Sequence, residues 1–283
     1  MVNLKNEFLD VKIAKKGAEI RSVICDNTEQ MWKGDPDIWA GVAPVLFPIC
    51  GGLKDDKYVL NGKEYTLQKH GYARFIDFEV ENKTETEAVF LHKSNEETKK
   101  CFPFDYELRV IFTLKGKTLE IDYNVKNTGA GEMYFGIGSH EAYYTPEGIE
   151  DYDVIFDEPQ TLDATQVFGS YLGDAKLPII KDCTVLPLYE KYFVIDALVF
   201  EDIEFKAATL KNRKTGRKLR VEFPDAKYFL LWHKPNSPFI CLEPWRGHPD
   251  YITTESYELS EKKDIITLPE KESYNYHHNI TLY

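Results

Sequence analysis

Cysteine is scarce and scattered. The five residues, at positions 25, 50, 101, 183 and 241, form no close pair and are odd in number, which argues against a disulfide framework and against a zinc cluster. No apolar run approaches the roughly 18 residues that a membrane-crossing helix needs, and the opening "MVNLKNEFLDVKIAKKG" lacks the unbroken apolar core of a secretion signal. Basic charge is short as well: 35 Lys and Arg stand against 47 Asp and Glu, a formal net charge of -12. A field of that sign repels phosphate backbones and anionic lipid, so neither nucleic acid nor a membrane surface is an expected partner. The one basic stretch, Lys211 to Lys218, contains Thr215-Gly216 and reads as a hairpin turn carrying solvated charges. A reducing, cytoplasmic setting is the expectation.

Linkers, low-complexity segments and internal repeats are missing too. The 17 Gly and 14 Pro are spread along the chain, so residues 1–283 read as a single domain large enough to bury a sizeable core.

The helical period of 3.6 is almost absent, and a period of two takes its place. Phe104, Tyr106, Leu108, Val110, Phe112 and Leu114 alternate with mostly polar residues. After Lys115-Gly116-Lys117-Thr118 the alternation resumes with Leu119, Ile121, Tyr123 and Val125, which predicts a β-hairpin. Further strands are expected at 11–14, 19–25, 76–80, 88–92, 133–144, 154–156, 208–210, 219–223, 228–233, 239–242, 265–268 and 273–283. The best helix candidate is a short one over Asp35–Trp39, where Pro36 suits a first turn. More than a dozen short strands with little helix point to an all-β fold, a large antiparallel sandwich. Most of the 39 aromatic residues are expected to serve its packing.

Familiar catalytic signatures are missing. Gly136-Ile137-Gly138 is not completed to a dinucleotide fingerprint, no phosphate-binding Gly-Lys-Ser/Thr loop occurs, and Gly138-Ser139-His140 is not a nucleophile elbow. His140-Glu141 lies in strand context, where neighbours face opposite ways, so these two should not act together. Four titratable residues remain in apolar or glycine-rich surroundings: His70 in "QKHGYARF", His140 in "GIGSHEAYY", Asp196 in "YFVIDALVF" and Glu243 in "FICLEPW". A lone histidine in a strand is often structural, but carboxylates flanked by bulky apolar groups are costly unless something offsets them. Two carboxylates and two histidines suit general acid and base chemistry, and Trp232, Trp245 and several tyrosines nearby make a sugar the natural substrate class.

The segments "APVLFPICGGLKDDKYVLNGKEYTLQKHGYAR" (43–74), "GIGSHEAYY" (136–144), "DALVFED" (196–202) and "LLWHKPNSPFICLEPWRG" (230–247) together resemble the aldose 1-epimerase, or galactose mutarotase-like, family. The resemblance implies a β-supersandwich with an open sugar-binding cleft and a reaction that needs no cofactor and no metal. It implies Glu243 as the base that takes the anomeric proton and His140 as the acid that protonates the ring oxygen. It further implies His70, Asp196 and Arg74 as sugar-binding residues. One departure bears on the substrate: Gly51-Gly52 stands where many relatives carry Gly-Arg, and Lys54, Lys69 or Arg74 are the available compensating cations. Beside epimerisation of a free hexose, three readings remain: a hexose-6-phosphate 1-epimerase, a non-catalytic sugar binder, and a glycosidase using Asp196 and Glu243 as paired carboxylates.

Overall fold

A computed structural model describes residues 1–283. The chain is built on a 14-stranded antiparallel sheet. Its path starts at Ile137–Gly138, passes through Phe239–Arg246, Tyr228–Trp232, Leu198–Phe200 and Tyr152–Phe168, and ends at Tyr106–Lys115, Glu87–Lys93 and Glu79–Lys83. A separate four-stranded sheet is formed by Val2–Lys5, Leu9–Ile13, Ile20–Cys25 and Thr28–Glu29. Leu4 and Val11 of the small sheet, Val110 and Ile121 of one end of the large sheet, and Leu231, Ile240 and Leu242 of the other all belong to one buried cluster. The large sheet therefore folds back on itself, and its two halves pack face to face as a sandwich.

The clearest alternation in the sequence gives the clearest element. Tyr106–Lys115 pairs with Thr118–Asn127 without a register break, and buried side chains alternate with half-buried ones along both strands. The basic stretch is the expected turn, joining Ala207–Asn212 to Lys218–Glu222 with Lys211 opposite Lys218.

Three expectations are corrected. Asp35–Trp39 forms a single turn closed by hydrogen bonds from the amides of Ile38 and Trp39 to the carbonyl of Asp35, and no helix continues from it. The helix that does form is Glu96–Lys99, started by a reciprocal cap between Asn95 and Thr98. The stretch 133–144 is three strands, Met133–Phe135, Ile137–Gly138 and Glu141–Tyr144, the last two separated at Ser139 and His140, where Ser139 lies opposite Pro244, which has no amide to donate. Residues 154–156 are a fragment of a long hairpin, Tyr152–Phe168 with Tyr171–Pro187. Four register shifts, together with Pro159 and Pro178, break the alternation that would have announced it. The tip of this hairpin, Gly169-Ser170, matters for the site.

Candidate active site

The Phe239–Arg246 strand lies between Tyr228–Trp232 on one side and the Ile137–Gly138 and Glu141–Tyr144 pair on the other. Ile240 and Leu242 anchor it in the main core, whereas Cys241, Glu243 and Trp245 point to the opposite face. Gly138 pairs with Trp245 and Glu141 with Leu242, so the same register sets His140 directly across from Glu243. His140 Nδ1 lies 3.4 Å from Glu243 Oε1. Neither His140 Nδ1 nor Glu243 Oε2 has a hydrogen-bond partner, although both are buried.

These groups face a cavity of about 280 Å³ that also receives His70, Asp196, Arg74, Lys69, Trp39 and Trp232. All five residues expected at the site from the sequence therefore line one cavity.

His70 is positioned by a clasp between two motif segments. Its amide donates to the carbonyl of Gly51 at 2.8 Å, and the amide of Gly51 donates back to His70 Nδ1 at 3.0 Å. That acceptor role fixes the tautomer, with the proton on Nε2. His70 adopts a φ of 66°, an unfavourable left-handed conformation which the clasp sustains. The next residue, Gly71, must be glycine: a Cβ there would sit 2.3 Å from the carbonyl oxygen of Phe47, the acceptor for the amides of Tyr72 and Ala73.

Aromatic rings fix the imidazoles. Trp39 stacks on His140 with centroids 5.1 Å apart, while Trp232 meets the same ring edge-on at 5.5 Å. Trp245 packs edge-on against His70 at 5.4 Å and donates its indole N–H to the carbonyl of Ser139 at 3.0 Å. With only 3% of its surface exposed, Trp245 serves as packing more than as an open sugar platform. Trp39 is a cavity-lining residue that sequence reasoning missed. It lies about a hundred residues from His140, and no periodicity links the two.

Burial governs the electrostatics. It pushes the Glu243 carboxyl well above the usual range, against the pull of Lys69 and with further help from Asp196 and Glu141. It pushes His140 down to about 3, aided by Lys69. His70 is lowered by burial and by His140, and Asp196 is raised by burial, partly offset by Lys69. A neighbouring carboxylate by itself raises a histidine's affinity for its proton, and here desolvation outweighs that effect. Burial thus favours the uncharged form of both partners, with a proton resting on Glu243 in preference to His140.

Cys241, His140 and Glu243 offer donor atoms within 4.8 Å of one another. The Cys241 thiol is held in its neutral form by burial and by Glu243, and it packs with Trp32, Ala142 and Phe239, so it behaves as an apolar neighbour. Glu141 turns to the core side of the sheet and pairs with His278 at 3.0 Å, away from His140 as the alternation required.

The glycine at position 52 has a local cause. Its amide donates to the carbonyl of Ser170, and a Cβ on it would lie 2.5 Å from Ser170 Cβ, so the tip of the long hairpin occupies the space a side chain would take. Of the compensating cations, Lys69 and Arg74 line the cavity, whereas Lys54 donates to the carbonyl of Thr254.

Residues 1–281 match the aldose 1-epimerase family. The chain is 34% identical to the plasmid protein LacX of Lactococcus lactis subsp. lactis over 261 residues, 87% of each chain. Among solved structures, it is similar to a galactose mutarotase related enzyme of Lactobacillus acidophilus, with a TM-score of 0.94 at 33% identity over 100% of this chain and 97% of that one. It is also similar to a galactose mutarotase-like protein of Lactobacillus casei, with a TM-score of 0.93 at 29% identity over the whole of both chains. The chain belongs to the aldose 1-epimerase family.

Proposed function

We propose that the protein interconverts the α and β anomers of a hexose by ring opening and reclosure. The observation that carries this reading is the cross-strand pair of His140 and Glu243, buried on a cavity wall with a free nitrogen and a free oxygen. In the reactive protonation state, the Glu243 carboxylate takes the anomeric proton as His140 gives its proton to the ring oxygen. The C1–O5 bond breaks to leave the open aldehyde. Rotation about C1–C2 presents the other face of the carbonyl, and the reversed transfers close the ring. Each well-placed proton donor or acceptor contributes about 10²–10⁴ in rate. His70, with Nε2–H as donor, and Asp196, with its carboxyl group, are the proposed ligands of the sugar hydroxyls, and Arg74 completes the wall.

A second reading, a hexose 6-phosphate as substrate, is favoured by one feature. Lys69 and Arg74 line the cavity and spend their hydrogen bonds on carbonyls, of Gly169 and Lys69 respectively, rather than on carboxylates. Polarimetry or NMR exchange on freshly dissolved α-glucose, α-galactose and their 6-phosphates tests both. Faster equilibration of the free sugars is expected. Preference for the phosphates would select the second reading, and saturable binding without faster exchange would make the protein a binder. Release of a reducing sugar from a glycoside would make it a hydrolase.

A further inference from the structure

Aromatic rings hold His140 on the cavity side of its sheet, and on the core side lie polar groups that the proton transfers do not use. The strand Ser273–Leu282 runs between Lys218–Glu222 and Thr118–Asn127, in the opposite half of the large sheet from the site strands. Its buried side chains are Tyr276, His278, Ile280 and Leu282. The two polar ones reach across the core. Tyr276 Oη donates to the carbonyl of Pro244 at 2.8 Å, and the same carbonyl accepts from the amide of Ser139 at 3.2 Å. A carboxylate only accepts, so His278 Nε2 donates to Glu141 Oε1, at 3.0 Å. The His278 ring stacks on Tyr123 with centroids 5.8 Å apart. Each contact thus ends on a residue next to one member of the acid and base pair, for Pro244 follows Glu243 and Glu141 follows His140.

The two contacts bracket a weak point, because the strand is interrupted at Ser139 and His140. They are also a poor device for stability. Glu141 Oε2 and His278 Nδ1 are buried without partners, and a buried polar pair often exchanges for apolar groups of similar volume with stability unchanged or improved.

We propose that Tyr276, His278 and Glu141 are positioning residues, which fix from behind the sheet the 3.4 Å approach of His140 to Glu243. The inference rests on the mutarotase reading above and adds the layer that holds its acid and base in register. A misplacement of about 1 Å at a reacting group lowers the rate by about 10²-fold. The three residues lie on the core side and none lines the cavity, so the sugar contacts do not depend on them directly.

Exchange NMR on glucose and galactose, with kcat and KM resolved, tests this on three variants. Tyr276→Phe loses only a hydroxyl and should lower kcat about five- to tenfold, with KM within about twofold of the wild type, as for one lost hydrogen bond. Glu141→Leu combined with His278→Leu should lower kcat about 10²-fold, again at nearly constant KM, with a thermal midpoint at or above that of the wild type. Glu141→Gln keeps an acceptor for His278 and should recover kcat to within about fivefold of the wild type. If the double variant does not fold, Tyr276→Phe decides. Unchanged kcat in either folded variant, a loss carried by KM, or Glu141→Gln as slow as the double variant would overturn the proposal and leave the mutarotase reading standing. If the wild type exchanges no sugar, that reading falls, and the imidazole nitrogen signals of His140, assigned with His140→Asn, decide. Their displacement in Tyr276→Phe supports the positioning role, and unmoved signals refute it.

Discussion

Two glutamates of this protein are equally hidden from water and have opposite surroundings. The side chains of Glu201 and Glu243 are exposed by 1% and 2%. Glu201 accepts hydrogen bonds from His248 Nε2 at 2.9 Å, Tyr251 Oη at 2.6 Å and Lys263 Nζ at 2.9 Å, and a further one from Thr165. Glu243 has His140 at 3.4 Å and an oxygen with nothing. Burial alone would raise both pKa values, yet the donors around Glu201 pull it well below the usual carboxylate range, while Glu243 is left raised. A buried carboxylate that is fully met holds structure together, and one that is left unmet has its hydrogen-bonding capacity available to a ligand. The two are linked in space. Glu201 ties Thr165 of the long hairpin to His248 and Tyr251, and the tip of that hairpin, with Pro249, forms cavity wall beside Glu243.

Breaking each glutamate should therefore have opposite consequences. Glu243→Gln is expected to lower the rate of anomer exchange by about 10³-fold or more. It should leave stability unchanged or improved at neutral pH, because a poorly solvated carboxyl has been replaced by a neutral amide. Glu201→Gln should do the reverse, costing about 3 kcal/mol in denaturant unfolding, since Lys263 loses its counter-charge and His248, Tyr251 and Thr165 lose a charged acceptor. Any fall in kcat/KM in that variant should come through a loosened wall and a higher KM.

The pH signs differ in the same way. Glu201's depressed pKa adds stability that is present above the ordinary carboxylate range and is lost as pH falls through and below it. Glu243's raised pKa contributes below that range and loses its contribution as pH rises through the elevated folded value. The activity profile sharpens the contrast further. With one proton kept by the His140–Glu243 pair, kcat/KM should be bell-shaped, the acid limb lying well below the ordinary histidine value of 6.5 because His140 is pushed down to about 3. The alkaline limb marks loss of the shared proton. His140→Asn should abolish the bell and reduce exchange about 10²-fold.

The smallest expected effect concerns position 52. Gly52→Ala forces a methyl against Ser170 and should cost about 1–3 kcal/mol while weakening sugar affinity by a few-fold, measured by unfolding and by KM.

Much of this was legible in the chain, for physical reasons that can be named. The Tyr106–Asn127 hairpin shows its burial pattern in plain alternation. Glu243 stood out because a carboxylate beside Phe239 to Leu242 is expensive, and the strand that the apolar run forms carries it to the cavity wall. The long hairpin was hidden by its bulges and prolines, and Glu201 was hidden with it, since its partners lie 36 to 62 residues away in sequence. In sequence Trp39 looks like a helix end, because its contact with His140 exists only once the fold has formed. The role of Gly52 also needed the hairpin tip in place.

On this reading the unmet glutamate carries the chemistry and the satisfied one carries structure. Exchange NMR on equilibrated glucose and galactose, run on wild type, Glu243→Gln and Glu201→Gln at matched folded concentrations, tests it most directly. Saturated exchange should collapse in Glu243→Gln and persist within about tenfold in Glu201→Gln. Near-normal exchange in a folded Glu243→Gln protein would contradict the account.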